Sequence, residues 1–195
     1  MRKVLLLFII AAVFGFVADI SYCSQDATEE NLSCFDLSEK YRSGISVEMI
    51  EKIKLPKGYH EGLFIKDGDI WVNNGMRINT WIISPSGELK GEIQPPATFT
   101  EGITDSSVPE RYWVTDWDTR KLYRVKIEAS AMVPDMEISL EPSLPTGVTR
   151  AGDKIYVMTW TRGWGTKYHL LRFDENGKML AKVRMKNISE PSQIT

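Results

Sequence analysis

The stretch TFTEGIT, residues 98–104, decides the fold prediction because it recurs along the chain. It reads as the start of a β-strand, yet it places a carboxylate and then a glycine where strands prefer bulky, β-branched residues. Related phrases are YHEGLFI from residue 59, LPTGVTR from residue 144 and EPSQIT from residue 190. Gly62, Gly102, Gly147 and Gln193 are equivalent in these phrases, with spacings of 40, 45 and 46 residues. A period of about 40–50 residues indicates repeated supersecondary units.

Each unit contains four short runs that are predicted to be strands, separated by turn signals, and none has helical periodicity. The runs are GLFI, IWVNN, TWIIS and LKGEI in the first unit, GITD, YWVTDW, KLYRVKI and MEISL in the second, and GVTR, IYVMTW, HLLRF and MLAKV in the third. Four strands per unit is typical of a propeller blade. The sequence therefore predicts an all-β protein, a β-propeller of four-stranded antiparallel blades, with three blades and the start of a fourth.

Three blades are fewer than the roughly four to eight with which propellers close. We therefore expect residues 45–195 to form a partial propeller domain whose terminal blade faces need further blades or a second chain to cover them. The run SVEMIEKIKL, residues 46–55, alternates apolar and charged residues and is predicted to be an outer strand.

Aromatic residues occupy matching positions in the second run of each unit. Trp71, Trp113 and Tyr156 are predicted to pack between blades. Trp117 and Trp160 end the same runs nearer one rim, where they could either pack or line a ligand site.

The N-terminus is built like a secretory signal. Arg2 and Lys3 precede an apolar run, Val4 to Ala18, of 15 residues, which is shorter than the roughly 20 needed to cross a bilayer. We expect residues 1–23 to be a signal peptide, residues 24–44 a linker, and the protein to be exported, periplasmic or secreted. A lipoprotein anchored through Cys23 and a membrane anchor are the alternatives, and no other segment is predicted to span a membrane. If both cysteines are retained, Cys23 and Cys34 could form a disulfide.

The charge balance argues against a nucleic-acid role. The chain has 24 basic and 26 acidic residues, a formal net charge of -2, and no basic run of the kind that binds phosphate backbones. His60 and His169 are the only histidines and have no partner at zinc-ligand spacing. No phosphate-binding glycine loop or nucleophile elbow is present.

Glu61 and Glu101 directly precede the glycines of the first two repeats, at the predicted mouth of the central channel. A carboxyl group in a partly dry site could act as a general acid or base, and two carboxylates could bind calcium. The alternative is a solvated glutamate beside a glycine that is needed for close packing. Asn73, Asn74, Asp116 and Asp118 follow the second runs and are interpreted mainly as turn residues.

The phrases FTEGIT and HEGL, with NNGMRINT after the second of them, resemble the glutamine cyclotransferase family of exported propellers over about three blades, Tyr59 to Val183. The resemblance implies cyclisation of N-terminal glutamine of peptides with release of ammonia. It also implies that Glu101 is the catalytic residue, and we expect Glu61, Trp117 and Trp160 to bind substrate. Glu61 replaces a glutamine of the family pattern, and Ile82 an arginine.

Two other functions stay open. The inner Glu-Gly pairs also resemble the calcium-dependent, gluconolactonase-like sugar lactonases, in which Glu61 would face the metal. A non-catalytic propeller that binds a protein or a sugar needs neither chemistry. We expect a peptide or small-molecule ligand at the channel mouth and no cofactor, with calcium as the possible exception that a lactonase would require.

Overall fold

The computed structural model describes residues 53–75, 79–96, 98–162 and 166–185, which form twelve strands and no helix. The first four strands are β1 (His60–Lys66), β2 (Asp69–Asn74), β3 (Asn79–Ile83) and β4 (Leu89–Ile93). The next four are β5 (Thr100–Asp105), β6 (Arg111–Asp116), β7 (Lys121–Glu128) and β8 (Ala131–Ser139). The last four are β9 (Leu144–Ala151), β10 (Lys154–Thr161), β11 (Lys167–Asp174) and β12 (Met179–Met185).

These strands form three separate four-stranded sheets in simple up-and-down order, β1-β2-β3-β4, β5-β6-β7-β8 and β9-β10-β11-β12, with every neighbouring pair antiparallel. The inner strands β1, β5 and β9 lie next to one another, so the sheets are arranged as successive blades. The described sheets form an arc that does not close. The prediction of an incomplete, all-β propeller is therefore confirmed.

Tight turns join the strands within each blade, as the sequence indicated. Asp67 and Gly68 both have positive φ, 52° and 84°, between β1 and β2, which is the backbone of a type I′ hairpin. Gly177, with φ 77°, ends the loop before β12. These residues let consecutive strands reverse direction without leaving the blade.

The hydrophobic core lies between blades. One cluster joins the first and second blades and includes Trp71 and Tyr112, whose ring centroids lie 5.3 Å apart. A second cluster joins the second and third blades around Trp113 and Phe173, which are 0% and 1% exposed. Trp71 and Trp113 therefore pack between blades. Tyr156 is buried too, but on the far face of the third blade, against residues of its own sheet such as Leu170 and Val183.

Hydrogen bonds also join neighbouring blades. The backbone of Gln94, just after β4, accepts a hydrogen bond from Met132 N and donates one to the carbonyl of Ser130, both at 2.8 Å. Between the second and third blades, Glu175 accepts hydrogen bonds from Ser106 Oγ at 2.7 Å and from Trp113 Nε1 at 2.8 Å. Neighbouring blades are thus held together both by apolar packing and by these polar contacts.

Several predictions concern residues outside the described part of the chain: the signal peptide 1–23, the linker 24–44, Cys23, Cys34 and the fourth-blade phrase at 190–195. The predicted outer strand 46–55 lies mostly outside it as well. Its last three residues, 53–55, are described and are not in a strand. Among the described residues, no helix is long and apolar enough to cross a membrane.

Candidate functional site

Two β-bulges place the Glu-Gly pairs where the inner strands begin. The register between β1 and β2 shifts between His60 and Leu63, and the register between β5 and β6 shifts between Thr100 and Ile103. A bulge leaves its extra residues outside the regular ladder and re-aims their side chains. Glu61 and Glu101 are the residues re-aimed in this way, at equivalent positions of adjacent blades.

The repeated glycine is explained by close approach of the inner strands. A Cβ atom on Gly62 would overlap the carbonyl oxygen of Glu101, and one on Gly102 would lie 2.6 Å from Val148 N and 2.9 Å from the Cα of Gly147. Because these neighbours are backbone atoms, they have little freedom to move aside. Gly62, Gly102 and Gly147 therefore form the line along which successive blades meet, and this contact brings the two glutamates together.

Glu61 and Glu101 form a buried carboxyl pair. They are 7% and 9% exposed, and their side chains share a hydrogen bond. Burial raises the pKa of Glu101 to about 9, with further contributions from the charge of Glu61, the shared hydrogen bond and the charge of Asp116. Burial also raises the pKa of Glu61, while its hydrogen bond with Glu101 acts in the opposite direction. The pair therefore favours a state with one proton between its two carboxyl groups at neutral pH, since two adjacent buried carboxylates cannot both ionise easily.

Neighbouring polar groups hold the backbone around this pair. Asn73 Nδ2 donates to the carbonyl of Glu101 at 3.5 Å, and Asn73 Oδ1 accepts from the Thr80 hydroxyl at 2.8 Å. The N–H of Gly102, displaced from the ladder by the bulge, donates to Thr115 Oγ1 at 2.9 Å. These contacts pair the carbonyl of Glu101 and the N–H of Gly102, as a stable interior requires of buried backbone groups.

Asp116 and Asp118 serve the backbone of the loop beside the pair. Asp116 accepts hydrogen bonds from Phe99 N and Thr119 N, both at 2.6 Å, and Asp118 accepts one from Thr98 Oγ1 at 3.1 Å. Their interpretation as turn residues agrees with these contacts. Asn74 also pairs with a backbone group, because its Oδ1 accepts a hydrogen bond from Tyr59 N at 3.1 Å.

The described residues do not by themselves make a calcium site. Calcium takes about six to eight oxygen ligands, whereas the pair offers two carboxyl groups. In the part of the chain that the structure describes, no group of three or more His, Cys, Asp or Glu side chains is arranged to hold a metal ion.

Trp117 and Trp160 are brought together by a residue that the sequence did not single out. The guanidinium carbon of Arg162 lies 5.8 Å from the centre of the Trp117 ring and 5.4 Å from that of Trp160. Both tryptophans are half-buried and Arg162 is exposed. Trp117 belongs to the second blade and Trp160 to the third, so the arginine bridges two blades at the rim. The only sequence signal for it is its place two residues after Trp160.

Aromatic residues extend this rim toward the first blade. Phe99 contacts Trp117 and Tyr59, each at 5.9 Å between ring centroids. Tyr59 and Phe99 stand three residues before Gly62 and Gly102, so they are equivalent in the repeat. The order Tyr59, Phe99, Trp117, Arg162, Trp160 forms a row, which we call the rim row, at the end of the blades where the inner strands begin.

The rim row and the carboxyl pair lie at the same end of their sheets. Thr100, next to Glu101, is paired with Asp116, and Trp117 N donates to the carbonyl of Phe99 at 2.9 Å. In the third blade, Trp160 is paired with Leu144 at the start of β9. The structure thus places all four predicted site residues at one end of the arc, as two groups that adjoin around Asp116.

Comparison with known proteins supports the fold. No protein-family model matches the chain, and no curated protein matches it. Among solved structures, virginiamycin B lyase from Staphylococcus aureus is similar, with a TM-score of 0.50 and 18% identity over 70% of this chain and 45% of that one. Glutaminyl cyclase from Myxococcus xanthus has a TM-score of 0.48 and 16% identity, over 65% of this chain and 51% of that one. The WD40 repeats of RRP9 have a TM-score of 0.49 and 12% identity, over 66% of this chain and 39% of that one.

These similar structures are β-propeller proteins, and the chain spans about half of their length or less. The similarity to virginiamycin B lyase, at 18% identity, shows a shared fold and not a shared activity. The class that fold and site define is a β-propeller arc with a buried carboxyl pair and an aromatic row at one end of its inner strands.

Proposed function

We propose that the chain is part of an exported glutaminyl-peptide cyclotransferase, which converts N-terminal glutamine of peptides to pyroglutamate with release of ammonia. The observation that carries the proposal is the buried pair of Glu61 and Glu101 carboxyl groups at the start of two neighbouring inner strands, where burial raises the pKa of both. The sequence resemblance around FTEGIT and HEGL supports the same function, and it points to the same glutamate.

The chemistry requires one proton to be taken up and one to be supplied. The terminal amine attacks the carbon of the γ-carboxamide, a C–N bond forms, and the bond to the departing nitrogen breaks. The attacking amine loses a proton, and the departing nitrogen gains one to leave as ammonia. A carboxyl pair with a single shared proton suits this exchange, because one member accepts while the other donates.

The two glutamates have distinct roles in this proposal. Glu61 takes the proton from the amine, and Glu101, whose pKa is raised by burial to about 9, gives a proton to the leaving nitrogen. Proton transfer along their hydrogen bond restores the pair. Burial of both groups supports this assignment, since a dry site keeps Glu101 protonated without an acidic medium.

The test is conversion of a short peptide with N-terminal glutamine, followed by mass spectrometry and by enzymatic assay of ammonia. Glu101→Gln should lower turnover at least about 100-fold, because it removes the general acid, and should leave the circular dichroism spectrum unchanged. Glu88→Gln, which alters an exposed glutamate of a distant turn, is the matched control and should keep full activity. Equal activity of the Glu101→Gln and wild-type proteins would refute the proposed role.

The same assay separates the other two hypotheses. Hydrolysis of a sugar lactone that depends on added calcium, without cyclisation, would favour a lactonase. Peptide binding without any turnover would favour a non-catalytic propeller.

A further inference from the structure

The group formed by Trp117, Arg162 and Trp160, which we call the Arg162 clamp, is a built feature of the rim. The guanidinium lies over both indole rings, at 5.8 and 5.4 Å. Cation–π contacts at these distances stabilise the arginine in one place. Its two rings come from different blades, so the position of the charge depends on the packing of the second blade against the third.

The N–H groups of Arg162 are not paired by the part of the chain that the structure describes. Among the described residues, no carboxylate forms an ion pair with Arg162 and no acceptor takes a hydrogen bond from it. By contrast, Arg111 and Arg124 both bind Asp135, and Arg150 binds Asp105. A guanidinium that stacks through its faces still presents its N–H edge, which matches the two oxygens of a carboxylate.

The surroundings of the clamp favour a peptide as the source of that carboxylate. The rim row continues from Trp117 through Phe99 to Tyr59, which is 48% exposed. Aromatic surface of this kind packs well against side chains and backbone of an extended ligand. A small inorganic anion would use the arginine and none of the rings.

We propose that the Arg162 clamp binds a carboxylate of the peptide ligand, so that this rim selects acidic peptides. The inference rests on the proposed function only in taking a peptide with N-terminal glutamine as the ligand. Because the guanidinium is already held by two rings, little of its side-chain entropy is lost on binding. Trp117 and Trp160 then hold the arginine rather than contact the carboxylate.

The experiment is isothermal titration of the purified protein with three matched peptides that all begin with glutamine. One is neutral and amidated, one has an aspartate near its N-terminus and is amidated, and one is neutral with a free terminal carboxylate. We expect an acidic peptide to bind about tenfold more tightly than the neutral one, as a charge-assisted, bidentate contact would give. The acidic peptide that binds more tightly than the neutral one identifies whether a side-chain or a terminal carboxylate reaches the clamp.

Substitutions test whether the gain arises at the clamp. Arg162→Gln should abolish the preference for the acidic peptide, and Arg162→Lys should keep only part of it, because lysine retains charge without the planar fork. Arg184→Gln removes an exposed arginine on the outer strand β12 and should change nothing. Circular dichroism of each variant checks that the fold is retained.

Three results would overturn the inference: equal affinity for all three peptides in the wild-type protein, the same loss of preference in Arg184→Gln as in Arg162→Gln, or inorganic phosphate binding as tightly as the acidic peptide. Failure of the proposed function has a different signature. If acidic peptides bind in an Arg162-dependent way but are recovered with unchanged mass, the clamp stands and cyclisation does not. If peptides are cyclised but acidic peptides are not preferred, the proposed function stands and the role of the clamp does not.

Discussion

Replacement of Gly102 by alanine tests the reason that glycine recurs in the repeat. The new Cβ would lie 2.6 Å from Val148 N and 2.9 Å from the Cα of Gly147, closer than ordinary van der Waals contact. Both neighbours are backbone atoms of β9, so relief requires the second and third blades to move apart. Forced overpacking of this kind costs about 1–3 kcal/mol.

Gly147→Ala is the matched control, because a Cβ at Gly147 meets no described atom within 4 Å. Neither glycine has a positive φ, so alanine is allowed at both by backbone conformation. Restriction of the unfolded chain by alanine makes the control neutral or more stable by about 0.4–1 kcal/mol.

The assay is urea unfolding followed by circular dichroism, supported by thermal melts. Gly102→Ala should lower the melting temperature by about 2–12 °C, given roughly 2–4 °C per kcal/mol for a chain of this size, while Gly147→Ala should not lower it. If Gly102→Ala were no more damaging than Gly147→Ala, close approach of the inner strands would not explain the glycines. Equal and large losses in both would mean that another segment packs over Gly147.

Two further predictions concern buried charge. The folded pKa of Glu101, about 9, exceeds its ordinary value of 4.5, so its contribution to stability is fully present below about pH 4.5 and is lost as pH rises toward 9. Urea unfolding across this range should show the free energy of unfolding falling by at most about 1.4 kcal/mol per pH unit from this group. Glu101→Gln should flatten that slope, and an unchanged slope would contradict the raised pKa. Burial alone would raise the pKa of Glu175, but hydrogen bonds from Ser106, Ser107 and Trp113 hold it below the ordinary value. Glu175→Ala should therefore destabilise the protein by about 1–3 kcal/mol in the same unfolding assay. Glu128→Ala, which removes an exposed ion pair with Lys126, is the control and should cost less than about 1 kcal/mol.

Local patterns predicted individual strands well. IWVNN lies in β2 and YWVTD in β6, because short runs rich in aromatic and β-branched residues and bounded by turn signals favour buried strands. Pairs such as Asp67-Gly68 marked the reversals between strands, since few other residues adopt positive φ without strain. The predicted outer strand at residues 46–55 is wrong at its end, because residues 53–55 alternate apolar and charged side chains but are not in a strand.

The site was predicted by position and not by its chemistry. The repeat placed Glu61 and Glu101 at equivalent points of two blades, but a repeat says nothing of the distance between them. Arg162 was missed altogether, because its role depends on two tryptophans that are 43 residues apart in the chain. A contact of this kind has no local pattern from which to predict it.

The sequence by itself determined the repeat, the strands, the turns and the residues Trp71 and Trp113 that pack between blades, because each depends on the order of neighbouring residues and their periodicity. Only the tertiary structure decided that Glu101 and Glu61 form a buried pair in which the pKa of Glu101 is raised, and that Arg162 lies against Trp117 and Trp160. The physical reason is the same in both cases. Proton affinity and cation–π attraction depend on distance and burial, and both are set by how closely one blade packs against the next.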